Sequence, residues 1–363
     1  MPTPSAISTA PVAVQFIITV ENTISQLRLS FRNIASAGRL NHSDPMPEAA
    51  ITSSFPKHFD GKRFYNPDAP QVHGWLDVLR WKLTSRPEPS PQFVADVEPF
   101  IPPRLVEKND LRITLVNHST LLLQQNSLNI LTDPLWSERA SPFSWIGPRR
   151  RRNPGVRKQD LPPIGIVLLS HNHYDHLDLA TLRWLAGRGH SVFIAPFGVA
   201  RLLRSQQITP VHELDWGQAH TLGETTIHCV PAMHFSARGV FDRNKTLWCG
   251  YVIECQNQIV YFAGDTGFGS HFAQIRNRFG PPRLALLPIG AYLPRWFMSP
   301  VHMSPADALE AHRILGAQTS VAIHHGTFQL GDESLDSPAR ELLASGRPDS
   351  FLLLKNGQSA VIV

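Results

Sequence analysis

From Leu111 onward the chain alternates short apolar runs with polar connections rich in proline and glycine. Leu111 to Val116 and Leu121 to Gln125 read as strands, and Leu128 to Thr132 as a third that stops at Asp133-Pro134. Ile164 to Leu169 has no polar break, the pattern of a strand covered on both faces. Asp178 then supplies an N-cap for a helix with Leu179, Leu182 and Leu185 on one face. Val192 to Ala195, Thr225 to Val230, Leu284 to Leu287 and Thr319 to Ile323 read as further strands. Trp248 to Cys255 and Gln258 to Phe262 pair about Gln256-Asn257. Ser304-Pro305 and Ser337-Pro338 open helices with N-cap and first-turn chemistry. Asn356-Gly357 predicts a closing type I′ hairpin. Hairpins mixed with strand–helix units fit two sheets back to back with helices outside.

Upstream the texture differs. Residues 1–55 are rich in Ser, Ala, Pro and Thr without a sustained period, which predicts a tail, partly disordered, with a short helix around Ile24 to Ile34. Residues 56–363 form the predicted domain, entered through a proline-punctuated, loop-rich segment carrying Trp75, Trp81 and Phe93. The early apolar run from Pro11 to Val20 is far short of the roughly 20 residues of a membrane span, and no Lys or Arg precedes it.

Composition narrows the picture modestly. Of 363 residues, 42% are hydrophobic and 17% charged, an ordinary globular balance. Three cysteines without CxxC spacing point to a reducing, cytoplasmic setting rather than a disulfide framework. The net charge of +5 tolerates anionic partners. The basic residues are not interleaved with stacking aromatics, so nucleic acid is not expected. The run Arg149, Arg150, Arg151, Arg152 has two readings, a solvated loop or a docking patch for phosphate or anionic headgroups.

The 17 histidines change the picture most. Ser170-His171-Asn172-His173-Tyr174-Asp175-His176 follows a buried strand directly. In a turn, His171 and His173 reach one centre while Asp175 and His176 reach its neighbour. Imidazole and carboxylate donors without thiolate suit Zn²⁺ in a hydrolytic site, and Mn²⁺ or Fe fit as well. Chance places HxHxDH roughly 0.002 times in a chain of this composition. Further donors are expected at strand ends, where three segments qualify: Pro231-Ala232-Met233-His234, Ala263-Gly264-Asp265-Thr266-Gly267 and Ile323-His324-His325-Gly326.

In this order the four segments resemble the metallo-β-lactamase-fold hydrolases. Leu131-Thr132-Asp133-Pro134, the stretch from Ser137 to Arg152 and the stretch from Leu287 to His312 are similar, more narrowly, to the branch of N-acylphosphatidylethanolamine-hydrolysing phospholipase D and its bacterial relatives. The resemblance covers about residues 57–363. Asn117-His118-Ser119-Thr120 departs from the Gly-His-Ala/Ser string usual there.

The resemblance implies an α/β fold, an αββα four-layer sandwich with two metals at one edge. It implies His171, His173 and His234 around the first ion, Asp175, His176 and His324 around the second, and Asp265 bridging. Such a pair lowers the pKa of a shared water to near 7. Asp265 would orient that nucleophile, and Asp265 or Asp175 would handle its proton. The expected substrate is N-acylphosphatidylethanolamine or a related phospholipid, which requires peripheral contact with a membrane. The alternative is a lactonase or phosphodiesterase acting on a small soluble ester. Asp133 is expected to fix a ligand imidazole or simply to form a turn. His302 either approaches the site or packs near its helix cap. His118 is a supporting or core residue, and His325 should point away by strand alternation. Tyr174 lies near the site by sequence, and Tyr292, Trp296 and Phe297 are candidates for an acyl groove. The oligomeric state is left open.

Overall fold

The computed structural model describes residues 57–67, 74–107, 110–239 and 241–362. The tail expected over 1–55 and its helix at Ile24 to Ile34 lie outside the described residues.

Short runs buried on both faces build two sheets. β1 (Leu111–Asn117), β2 (Thr120–Gln125) and β3 (Leu128–Thr132) form an antiparallel meander. β4 (Ile166–Leu168), β5 (Val192–Pro196) and β6 (Val211–Leu214) continue parallel to β3. In the second sheet β7 (Ala219–Leu222), β8 (Thr225–Val230), β9 (Gly250–Cys255) and β10 (Gln258–Phe262) alternate antiparallel. β11 (Leu284–Pro288), β12 (Thr319–Ile323) and β13 (Phe351–Leu352) run parallel to β10. β14 (Ser359–Ile362) returns to pair with β1. The sheet orders are β14-β1-β2-β3-β4-β5-β6 and β13-β12-β11-β10-β9-β8-β7.

Alternate residues fill two kinds of interior. Between the sheets, Leu111, Ile113, Leu115, Leu121, Leu123, Ile130 and Leu168 meet Ile227, Tyr251, Ile253, Phe262 and Leu286. On the outer face of the first sheet, Leu122, Leu131, Val167, Leu169 and Phe193 bury against α2 (Leu179–Gly187) and α3 (Ala200–Ser205) through Leu182, Leu185 and Leu203. On the outer face of the second, Val252, Tyr261, Ala285, Leu287 and Ala322 bury against α4 (His271–Phe279), α6 (Pro305–Leu315) and α7 (Ser337–Ala344). Each buried Val, Leu, Ile or Phe side chain contributes roughly 1.5–3 kcal/mol. The result is the αββα four-layer sandwich. Two further helices, α1 (Trp75–Thr84) and the single turn α5 (Arg295–Met298), complete the set named here. Among the described residues no helix is long and apolar enough to cross a membrane.

Capping sets the helix starts. Asp178 accepts from the Ala180 amide and from the Thr181 hydroxyl, opening α2. Ser304 and Asp307 form a reciprocal capping box ahead of α6, with Pro305 in the first turn and Gly316 ending the helix at φ 59°.

The structure departs from the sequence reading in three places. Asn356-Gly357 does not turn a hairpin, because β13 and β14 belong to different sheets. The turn hands the chain across the sandwich. Gly357 donates to the Leu115 carbonyl and lies so close to Gly155 that a Cβ on Gly155 would sit 1.7 Å from the Gly357 nitrogen. β6 and β7 lack an apolar signature: His212 and Glu213 interrupt one, and the other alternates exposed and half-buried residues. The segment before β1 holds α1 and is not merely loop-rich.

Candidate metal centre

Strand direction decides where the chemistry collects. β3 and β4 run parallel, and β8, β10 and β12 run in one direction because β8 and β10 both oppose β9. Asp133, Ser170–His176, His234, Asp265 and His324 all follow the carboxyl ends of these strands. Two backbone features allow the crowding. His324 adopts φ 59° and Asp133 φ 34°. Gly264, at φ 61°, lies where a Cβ would come within 2.7 Å of Ser170 Cβ and 3.0 Å of the Cys249 carbonyl.

The seven side chains expected from sequence come together, and all but His173 and Asp175 are buried below a few per cent exposure. His171 Nε2 lies 2.9 Å from His173 Nδ1, which lies 3.2 Å from His234 Nε2. Asp175 Oδ2 lies 3.3 Å from His176 Nε2 and 3.4 Å from His324 Nε2. Asp265 Oδ2 lies between the two groups, 3.0 Å from His324 Nε2, 3.2 Å from His176 Nε2 and 3.9 Å from His234 Nε2. Donor atoms held about 2.0–2.1 Å from one tetrahedral ion stand about 3.4 Å apart, so this spacing suits coordination.

Hydrogen bonds behind the cluster aim the lone pairs. Ser170 donates its amide and its hydroxyl to Asp133 at 2.7 and 2.6 Å. The Ser170 oxygen thus accepts from His171 Nδ1, 2.9 Å away. His176 donates from Nδ1 to Asp133 Oδ2 at 2.6 Å, and His234 from Nδ1 to the Val301 carbonyl at 3.0 Å. Burial holds the His171 and His234 rings neutral, so their Nε2 atoms are left as acceptors facing the centre, whereas, against burial, Asp265, Asp175 and Asp133 favour the charged form of His176. The Nε2 atoms of His176 and His324 and Oδ1 of Asp265 are buried with no hydrogen-bond partner. Buried polar atoms left without a partner, the ionised Asp265 oxygen above all, fit a cation.

The carboxylates and imidazoles of the cluster are electrostatically tied to one another. Burial alone would raise the Asp265 carboxyl, but the imidazoles of His176 and His324 hold it well below the usual carboxylate range. Asp175 is held down in the same way, against burial, by His176, His118 and His324. Burial pushes His173 down to about 4. His324, despite its burial, is raised to about 9 by Asp265 and Asp175. Two further histidines adjoin the cluster. His118 Nε2 is 3.1 Å from Asp175 Oδ2, and His302 Nδ1 is 3.9 Å from Asp265 Oδ2. Burial lowers them to about 3 and about 4.

A cavity of about 290 Å³ opens over the cluster. Its wall includes Val78 and Trp81 of α1, Phe235, Arg243, Phe297, Met298, Val301, His302 and Leu330. Phe297 stacks on Trp81 with ring centroids 5.0 Å apart. The other two candidates for a groove do not line it. Tyr292 is buried with its hydroxyl donating to Glu341, and Trp296 lies under the Arg80 guanidinium. Tyr174 is turned to Arg238, whose carbonyl accepts its hydroxyl. His325 points to a separate cleft with Asp96, Arg152 and Asp336, as strand alternation predicts.

The arginine run is neither a solvated loop nor a patch. Arg150 is 3% exposed and donates to Asn117 Oδ1 and to the Leu135 and Ser137 carbonyls. Arg151 donates to the Ser90 and Pro91 carbonyls. Arg152 is paired with Asp96 and Asp336. Arg149 alone of the four remains exposed. Sequence reasoning also missed Asn66 and Arg243. Asn66 donates to the His234 carbonyl at 2.7 Å and accepts from Trp248 Nε1 at 3.0 Å. No local signal marks either residue, since each acts on partners that its own neighbours in sequence do not reveal.

Comparison with known proteins gives the same outline. The beta-lactamase superfamily domain matches residues 128–325. An uncharacterized protein of Mycobacterium tuberculosis is 37% identical over 311 residues, covering 83% of this chain and 82% of its own. N-acyl-phosphatidylethanolamine-hydrolyzing phospholipase D 1 of Caenorhabditis elegans is 38% identical over 235 residues, 62% of this chain and 66% of that protein. The crystal structure of isothiocyanate hydrolase from Delia radicum gut bacteria superposes with a TM-score of 0.57 at 23% identity, over 69% of this chain and 98% of that one.

Proposed function

The chain belongs to the beta-lactamase superfamily of metal-dependent hydrolases, and on that premise we propose that it is a dinuclear zinc phosphodiesterase cleaving N-acylphosphatidylethanolamine or a related phospholipid in the manner of a phospholipase D. The observation that carries this reading is the mostly apolar cavity that opens on the imidazole–carboxylate cluster and contains one arginine. An apolar wall suits acyl or glyceryl carbon, and a cation beside the cluster suits phosphate. The similarity to a phospholipase D of this substrate supports it further.

His171, His173 and His234 would hold one ion, Asp175, His176 and His324 the second, and Asp265 would touch both. Bound zinc would supply a hydroxide nucleophile at neutral pH and a counter-charge for the phosphoryl oxygens. Transfer of the phosphoryl group to water would break the bond from phosphorus to the leaving alkoxide, which would take up a proton. Asp265 or Asp175 would steer that proton. N-acylethanolamine and phosphatidic acid are then the products. Access to the lipid requires peripheral contact with a membrane. We assign residues 56–363 to one hydrolase domain, because Val78 and Trp81, outside the 128–325 match, line the cavity.

The volume of about 290 Å³ favours a second reading. It accommodates a headgroup or a small molecule more readily than a whole diacyl lipid, which suits a lactonase or phosphodiesterase acting on a small soluble substrate. Purified protein is assayed on N-acylphosphatidylethanolamine in mixed micelles, with and without a chelator. Zinc-dependent release of N-acylethanolamine is expected. Turnover confined to soluble esters leaves the second reading.

A further inference from the structure

The cavity wall contains one feature that neither packing nor metal binding explains. Arg243 is half-buried, and its guanidinium carbon lies 4.8 Å from the centroid of Phe235. Phe235 in turn meets the His173 ring edge-on, with centroids 4.7 Å apart. Three other arginines that burial touches are matched. Arg152 has two carboxylates, Arg150 three backbone or amide oxygens, and Arg238 the carbonyls of Asn172 and Leu177. Among the described residues Arg243 has no ion pair and no hydrogen bond. The charge that acts on it is of its own sign, from Arg63.

A half-buried guanidinium carries five N–H donors and loses hydration. Stacking on a ring face satisfies none of those donors and leaves the planar edge free. This cation, acted on by a second one, stands on the wall of the cavity that His173, Asp175 and Asp265 also line, and among the described residues no carboxylate is paired with it. We propose that Arg243 selects the substrate's charge, its free edge donating to a non-bridging oxygen of an anionic phosphodiester, so that the site prefers such diesters to neutral esters. This rests on the phosphodiesterase reading and sharpens it, because a lactone or carboxylic ester offers no charged oxygen to that edge.

The test compares two substrates with one leaving group: bis-p-nitrophenyl phosphate, which carries one negative charge, and its neutral methyl triester. Wild type, Arg243→Ala, Arg243→Lys and, as a charge-loss control, the exposed Arg149→Ala are loaded with zinc, and their metal content is measured. Arg243→Ala is expected to lose about 10- to 150-fold in kcat/KM on the diester, the range of a lost hydrogen bond to a charged group. It should change less than about 3-fold on the triester, since no charged oxygen is lost there. Arg243→Lys should fall between, and Arg149→Ala should match wild type. The inhibition constant of inorganic phosphate should weaken in Arg243→Ala by a similar factor. Equal losses on both substrates, or none on either, overturn the proposal, and the lysine variant extends the test should the alanine variant fold poorly. Failure on micellar N-acylphosphatidylethanolamine with the diester–triester split intact removes the lipid substrate and leaves Arg243 in its role.

Discussion

The two sheets contribute to the metal centre in different ways. The first supplies His171, His173, Asp175 and His176 from one loop after β4, held from behind by Ser170 and Asp133. The second supplies His234, Asp265 and His324 from three separate strand ends, and the bonds that hold His234 come from far along the chain, at Val301 and Asn66. One half is a local motif whose geometry follows from a turn. The other exists only once β8, β10 and β12 are aligned. The difference teaches that a short motif can announce a centre while half of that centre is a property of topology.

Four measurements test that contrast, in falling order of effect. Replacing the side chain that touches both groups, Asp265→Ala, should remove at least one ion per chain by elemental analysis and lower turnover by about 10³-fold or more. An equal loss of metal is expected for His173→Ala from the local half. Asp133→Asn removes an acceptor shared by Ser170 and His176, and metal affinity by competition with a chromogenic chelator should fall about 10- to 100-fold. Asn66→Ala, the distant support of His234, removes a neutral hydrogen bond to the His234 carbonyl and one from Trp248, which keeps the Ala232 carbonyl, and should cost only about 2- to 10-fold in the same assay. A loss as large as that of Asp133→Asn would erase the distinction between the halves.

The smallest effect is on thermal stability against pH in metal-free protein. His324, from the scattered half, is raised from 6.5 to about 9. Its contribution is therefore complete below pH 6.5 and lost as pH rises to about 9. His173, from the local loop, is lowered from 6.5 to about 4. Its neutral form is stabilising above pH 6.5, and that contribution is lost as pH falls toward 4. The melting temperature of the metal-free protein should peak near pH 6.5 and fall on both sides by a few degrees. A monotonic profile would refute this pairing of signs.

Much of the fold was legible because most residues from β1 to β5 and from β8 to β12 are buried, so these strands read as short apolar runs. Ile164 to Leu169 and Gln258 to Phe262 are read correctly since their apolar residues leave no other choice. β6 and β7 were not legible, because short edge strands carry histidine and threonine without losing their pairing. Asn356-Gly357 was misread because turn chemistry specifies a reversal of direction and says nothing of which sheet receives the next strand. In the site, HxHxDH was legible from residue types alone. Asn66 and Arg243 were not, because their meaning lies in what approaches them. The run from Arg149 to Arg152 shows the converse: adjacent charges in sequence diverge in space, and three of the four are matched one by one.

Asp133 has a consequence for how the centre fills. Its carboxylate holds His176 directly and His171 through Ser170, one residue expected in each of the two subsites. Seating an ion against either ring fixes the same carboxylate that orients the other. Uptake of the two ions should therefore be cooperative, giving one steep step on titration instead of two shallow ones.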